Sequence, residues 1–266
     1  MAPRVAVDQT APYPALPEAL VCANEACQWR LRRFGALVHD LELDLNADGP
    51  TVITDLLSCC TLPKADRDLL WDLPAGKRIE CLLVLAALDG AEQFDADFRC
   101  PGCGQMFEVI LAIDELIAAG RAADSVVVEL QIEGDVRRFR RPTGRDQLAW
   151  LARTHPNEAA VVAAMIASLA IDGTDVPAIA LEAALDEADP LLRMLVEAAC
   201  PDCGSQTALE IDLAGMVLAR MRRSQDALFE AVDLLASRYH WSETEIFSLP
   251  EWRRARYVEL LQREGR

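Results

Sequence analysis

The hexapeptide Arg-Cys-Pro-Gly-Cys-Gly at residues 99–104 returns as Ala-Cys-Pro-Asp-Cys-Gly at residues 199–204. Both carry the pattern C-P-x-C-G, and its spacing is mechanical. Two thiols three residues apart can grip one tetrahedral ion while amides of the intervening turn point at the sulfurs. Proline after the first cysteine presets φ, and glycine after the second accepts the positive φ that closes the turn. Each knuckle offers two ligands and a closed structural site takes four, so the economical assignment is one structural Zn2+ per chain on Cys100, Cys103, Cys200 and Cys203. Such a site returns residues 104–199, an excursion of 96 residues, to their starting point, and makes metal binding part of the folding energy.

The flanks of the knuckles support pairing. Strand-like segments at 94–99 and 192–199 precede them, and apolar runs at 106–116 and 208–216, each with an Ile-Asp pair, follow. Strand, knuckle, strand, stated twice, is the zinc-ribbon plan. A redox CxxC is the main rival, but it wants one active pair at a helix start. Two half-sites that each pair with another chain are the remaining alternative. A catalytic zinc needs an open position, which four thiolates do not leave.

Nine cysteines, an odd count, and an N-terminus without an apolar signal core argue against a disulfide framework. Cys59, Cys60 and Cys81 read as small hydrophobes on buried helix faces. Cys22 and Cys27 are loosely spaced and lack two further ligands.

About half the residues are apolar, which calls for a real core, while 43 acidic against 26 basic residues give a formal charge of −17. That balance repels nucleic acid and anionic membrane. No uncharged apolar run reaches membrane-spanning length, and 159–171 is too short and too rich in alanine. The expectation is a soluble protein made and kept in a cytoplasm. One basic cluster stands against the trend: Arg137, Arg138, Arg140, Arg141 and Arg145. It reads either as an exposed hairpin face paired with the acidic stretch 155–200 or as a nucleic-acid site, though only Phe139 is interleaved with it. No phosphate loop, nucleophile elbow or zinc-protease helix occurs, and His39, His155 and His240 lie in no catalytic pattern. We therefore expect no enzyme, no catalytic or cofactor-binding residue and no small-molecule substrate.

The pattern predicts an α+β fold: mainly helical, with a small zinc-ribbon-like β core formed by the two knuckles and a helical C-terminal tail. Residues 1–50 form an arm and short strand region, with a strand at about 36–46. Residues 51–219 form a helical and zinc-ribbon core, with helices at 51–60, 64–73 and 75–88, the last stopped by Asp89-Gly90. Inside the excursion we expect a hairpin, 125–132 with 136–141, a helix capped by Thr143, and helices at 157–171 and 177–187. The tail, 220–266, carries a helical stripe (Leu228, Val232, Leu235, Tyr239), a capping box (Ser242 with Glu245) and helices at 243–247 and 250–263. Its aromatic and arginine density suits either a docking surface or a fold back onto the body.

Taken in order, these segments resemble the T4-type baseplate protein family of contractile phage tails and phage-tail-like injection systems. The likeness spans about residues 51–266. It rests on the junction Arg141-Pro142-Thr143-Gly144 with Asp146, on the paired knuckles, and on a closing pattern of Tyr239, Trp241, Ser242, Ile246, Leu249, Arg253, Arg254 and Tyr257. The resemblance implies a non-enzymatic structural or assembly component whose partners are other baseplate or tail hub proteins.

Overall fold

The computed structural model describes residues 30–47, 49–123 and 125–264; the expected N-terminal arm, Cys22 and Cys27 lie outside them. Strand β1 (Arg30–Leu31) pairs antiparallel with β2 (Thr61–Leu62) beside three helices, α1 (Gly49–Cys60), α2 (Arg67–Asp72) and α3 (Ala75–Leu88). Helix α3 is buried from Ala75 to Ala86, charged residues included, so it is the central post of the body. Asp89-Gly90 ends it as expected, with Gly90 at φ 81°.

The first knuckle joins β3 (Gln93–Arg99) to β4 (Met106–Ala112), and α4 (Ile113–Ala122) follows. The excursion continues with β5 (Val127–Ile132), β6 (Asp135–Arg140), α5 (Gly144–Leu151), α6 (Glu158–Leu169), β7 (Ala170–Asp172) and α7 (Ala178–Ala188). The second knuckle joins β8 (Met194–Ala199) to β9 (Gln206–Ile211). The 27-residue α8 (Leu213–Tyr239), α9 (Glu243–Ser248) and α10 (Glu251–Glu264) complete the described chain. The fold is α+β, with small antiparallel sheets among helices.

Three expectations are corrected. The strand at 36–46 is a short 3-10 helix, Val38–Glu42. The alternation of Leu41, Leu43 and Leu45 is not a sheet pattern there: Leu45 is buried in the main core while Leu41 packs against the tail. The runs 106–116 and 208–216 stop being strands at Ala112 and Ile211. Each Ile-Asp pair marks a strand-to-helix junction instead. Asp114 and Glu115 lie in the first turn of α4, where the helix dipole favours acids, and Asp212 caps α8 by accepting from the Gly215 amide at 2.8 Å. Finally, the apolar run to residue 171 leaves the helix after Leu169. Its end becomes β7, which adds to the edge of β6 in the register Phe139↔Ala170 and Arg138↔Asp172.

The two knuckle hairpins pack their inner faces together. Equivalent positions are one hundred residues apart, yet Phe98 corresponds to Ala198 and Phe107 to Thr207. The first hairpin supplies the aromatics, Phe98 opposite Phe107 across its own strands, and the second the smaller Ala198 and Leu209, in a cluster that includes Cys100, Cys200 and Val109. Each excursion and tail segment has its own satellite core: Val128, Phe139, Leu169 and Leu181 in the first, Val232, Leu235, Ile246 and Leu261 in the second. The tail aromatics fold back: Tyr239 stacks on Trp241 at 4.7 Å, and Tyr257 meets both edge-on.

Candidate metal centre

Both knuckles close in the same way. The Cys100 amide donates to the Gln105 carbonyl at 2.8 Å and the Gly104 amide to the Cys100 carbonyl at 2.9 Å. In the second, Cys200 donates to Ser205 at 2.9 Å and Gly204 to Cys200 at 2.8 Å. Gly104 and Gly204 sit at φ 75° and 70°, a backbone that a side chain strains. The Gly102 amide points at the Cys100 sulfur, at 3.3 Å.

The hairpins cross so that thiols pair between knuckles. Cys100 Sγ lies 3.6 Å from Cys203 Sγ, and Cys103 Sγ lies 3.7 Å from Cys200 Sγ. All four sulfurs lie within 4.8 Å of one another. A disulfide needs about 2.05 Å. Tetrahedral coordination at about 2.3 Å per thiolate puts sulfurs about 3.8 Å apart, so the donor set fits one ion. The four predicted ligands therefore converge within one chain and can hold a metal. Cys100 and Cys200 are buried beneath the aromatic cluster, whereas Cys103 and Cys203 are exposed.

The thiols are not equivalent. Amide donation, first from Cys103 and also from Gly102, pulls Cys100 down to about 6 against the effect of burial. Cys103 is pushed up to about 12: the Gln105 amide favours its thiolate, but burial and the neighbouring sulfurs outweigh that. Cys203 moves upward for related reasons, with the Ser205 amide opposing. The cluster shares protons that a cation displaces, so metal binding releases protons. An ion held by all four sulfurs has no vacant position, and its effect is to cross-link the two hairpins.

The remaining cysteines divide. Cys81 and Cys60 are buried thiols raised above their ordinary range, Cys81 by burial and Cys60 first by its hydrogen bond with Cys59. Cys59 is more polar than expected: it donates to Asp40 at 3.1 Å, beside the buried Arg32–Asp40 pair at 2.5 Å.

Every member of the arginine cluster has an acidic partner. Arg137 meets Asp135 at 3.2 Å, Arg138 meets Asp172 at 2.7 Å and Arg140 meets Asp146 at 2.5 Å. Arg141 meets Asp189 at 2.5 Å, and Arg145 meets Asp68 and Asp72 at 2.8 and 2.5 Å. Two of these partners, Asp172 and Asp189, belong to the acidic stretch 155–200.

Sequence reasoning missed a buried polar junction here. Asp189, fully enclosed, holds Arg141 and also accepts from the Gly76 amide of α3 at 3.2 Å. Arg141 donates to the Ala123 carbonyl at 2.7 Å. Next to it, Arg78 donates to the carbonyls of Leu70 (2.7 Å) and Pro50 (2.6 Å) and to Thr54 Oγ1 (2.9 Å). A Cβ on Gly76 would overlap Asp189, and one on Gly144 would overlap the Arg78 guanidinium. The signal was an arginine and a lysine inside the apolar run 75–88, which a solvated-charge rule passes over.

No family model, curated protein or solved structure matches this chain. No described helix is long and apolar enough to cross a membrane.

Proposed function

We propose that the chain is a non-enzymatic structural or assembly component of a contractile-tail or injection-system baseplate. It acts by protein–protein contact in a bacterial host cytoplasm, where the particle is assembled, and carries one structural Zn2+ in a zinc-ribbon setting. Four thiolates are a soft donor set that suits zinc over hard cations.

The observation that supports the baseplate reading is where its motif residues lie. Arg141, Thr143, Gly144 and Asp146 form the junction that joins the excursion to α3, with Thr143 and Asp146 in a reciprocal capping box. Tyr239, Trp241, Ser242, Ile246 and Tyr257 turn the tail back onto α8, Ser242 capping α9 and Ile246 fully buried. These are positions where distant segments meet, so they would persist in a family that shares the architecture. The paired arginines favour a protein partner over nucleic acid, because their charge is neutralised within the chain.

The test is co-expression with tail sheath, tube and hub proteins from one locus. A stable complex with a hub or baseplate protein, and one zinc per chain by elemental analysis, is the expected result. No complex, together with binding of mixed DNA or RNA tighter than about micromolar near 0.15 M salt, would favour a zinc-ribbon regulator instead.

A further inference from the structure

Helices α8 and α10 and the turn at Arg33–Gly35 enclose a groove of about 470 Å3. Its apolar walls include Phe34, Leu228, Ala231 and Val258. Gly35, at φ 79°, lets the turn press against Leu228, which a Cβ there would overlap. The carboxylates along the groove are engaged. Asp89 binds Arg33 at 3.0 Å, Arg220 at 3.2 Å and Ser224 at 2.7 Å; Glu251 binds Arg33; Glu259 binds Arg256 at 2.7 Å.

Arg254, which also lines the groove, is different. It is only 7% exposed, and its guanidinium lies over the Phe247 ring at 4.6 Å. No carboxylate or carbonyl among the described residues accepts from it. Its nitrogens are not sealed from solvent, and Arg254 lines the groove. The other buried arginines each have oxygen acceptors: Arg32 and Arg141 carboxylates at 2.5 Å, Arg78 three oxygens. Burial lowers the pKa of Arg254, and the nearby Glu251 offsets only part of this. A desolvated cation with unused donors is stable only at a cost that an incoming anion removes.

We infer that this groove docks an apolar segment of a partner protein through one of its carboxylates, bound by Arg254. A doubly charged phosphate would face Asp89, Glu251 and Glu259; a single carboxylate on an apolar segment suits a groove whose apolar walls flank Arg254, its one unpaired cation among the described residues. Trp252, 73% exposed on the same helix, gives the adjoining surface an aromatic anchor of the kind that interfaces favour. The inference rests on the reading that the chain works by protein contact, and not on which particle it serves.

The test uses the full zinc-loaded chain. The first probe is sodium hexanoate, followed by NMR, with hexylammonium as control. Shifts at the Arg254 Nε–H and at the Leu228 and Val258 methyls are expected with hexanoate alone; their absence overturns the proposal. The second probe is a random dodecapeptide display library. Enriched peptides should carry Asp or Glu beside apolar residues, and should bind about tenfold or more weakly after Glu→Gln in the peptide or Arg254→Met in the protein. Basic binders, or binders indifferent to both changes, overturn it. Should Arg254→Met melt early, Arg254→Lys and the Glu→Gln peptides carry the comparison. If Arg254→Met shifts amides of residues 1–29 in the peptide-free protein, the occupant is this chain's own N-terminal segment and the partner proposal fails. Absence of a complex with tail proteins would count against the baseplate reading alone and leave these outcomes untouched.

Discussion

The long excursion is closed at two places by opposite chemistry. At the knuckles, two similar hairpins bring four thiols together at a partly exposed tip, and the sulfurs converge within 4.8 Å. At the polar junction, Arg141, Asp189 and the Gly76 amide meet in a buried pocket that needs no ion. The first joint can draw strength from an ion that the chain must acquire. The second depends on each donor being placed, because a buried charge without its partner is costly. A fold using both can be loosened at one end without opening at the other.

The largest effect should come from the metal joint. Zinc-peptide affinities correspond to about 10–16 kcal/mol, more than a buried ion pair is worth. Cys103→Ser and Cys203→Ser should each reduce zinc from one per chain toward zero and lower the melting temperature, as a strong chelator should in the parent protein. Metal retained undiminished in both variants would show that the sulfurs do not share an ion.

The polar joint comes next. Asp189→Ala leaves Arg141 buried and unpaired, and should destabilise by about 3–5 kcal/mol in chemical denaturation while leaving zinc content unchanged. A loss below about 1 kcal/mol would mean that the knuckles alone close the excursion.

Acid should weaken the knuckle joint, by protonating thiolates, and the helix cap beside the polar joint, by protonating Asp146. Asp146 is held below the usual carboxylate range by Arg140 and Thr143, although burial pulls the other way. A carboxylate depressed in the folded state contributes stability above its unfolded value, about 3.9, and that contribution is lost as pH falls through the folded value. Unfolding free energy should therefore decline below about pH 4, and less steeply in Asp146→Asn. Protonation of the thiols acts on both proteins alike, so the difference between their slopes reports the carboxylate. Parallel curves would show that Asp146 contributes nothing.

The smallest effect concerns Arg145, whose guanidinium is half exposed between Asp68 and Asp72. Arg145→Ala should leave the denaturation midpoint nearly unchanged, since an exposed ion pair adds little. A larger loss would extend the polar junction to the surface.

The metal joint was legible in the sequence and the polar joint was not. Cysteine spacing is tied to coordination geometry, so C-P-x-C-G announced the ligands and both hairpins. Helix α3 was legible to the residue, because an apolar run met a clear Asp-Gly stop. Arg78 and Asp189 were invisible because burial of a charge depends on partners far apart in the chain: Arg78 finds Pro50 and Thr54, Asp189 finds Gly76. Strand β7 was lost for a local reason. Ala170–Asp172 continues an apolar helical run and becomes a strand only because the β6 edge is there to receive it.

Helix α8 starts beside the knuckle hairpins, with Leu213, Val217 and Met221 in the main core, and ends in the tail cluster with Val232 and Leu235. At about 1.5 Å per residue, its 27 residues are a rod of about 40 Å. That rod acts as a ruler. It sets both the distance and the rotational phase between the four-cysteine end of the molecule and the tail cluster at its far end. Four inserted residues would lengthen it by about 6 Å and turn everything beyond by about 40°. The spacing of these two ends is written in the residue count of a single helix.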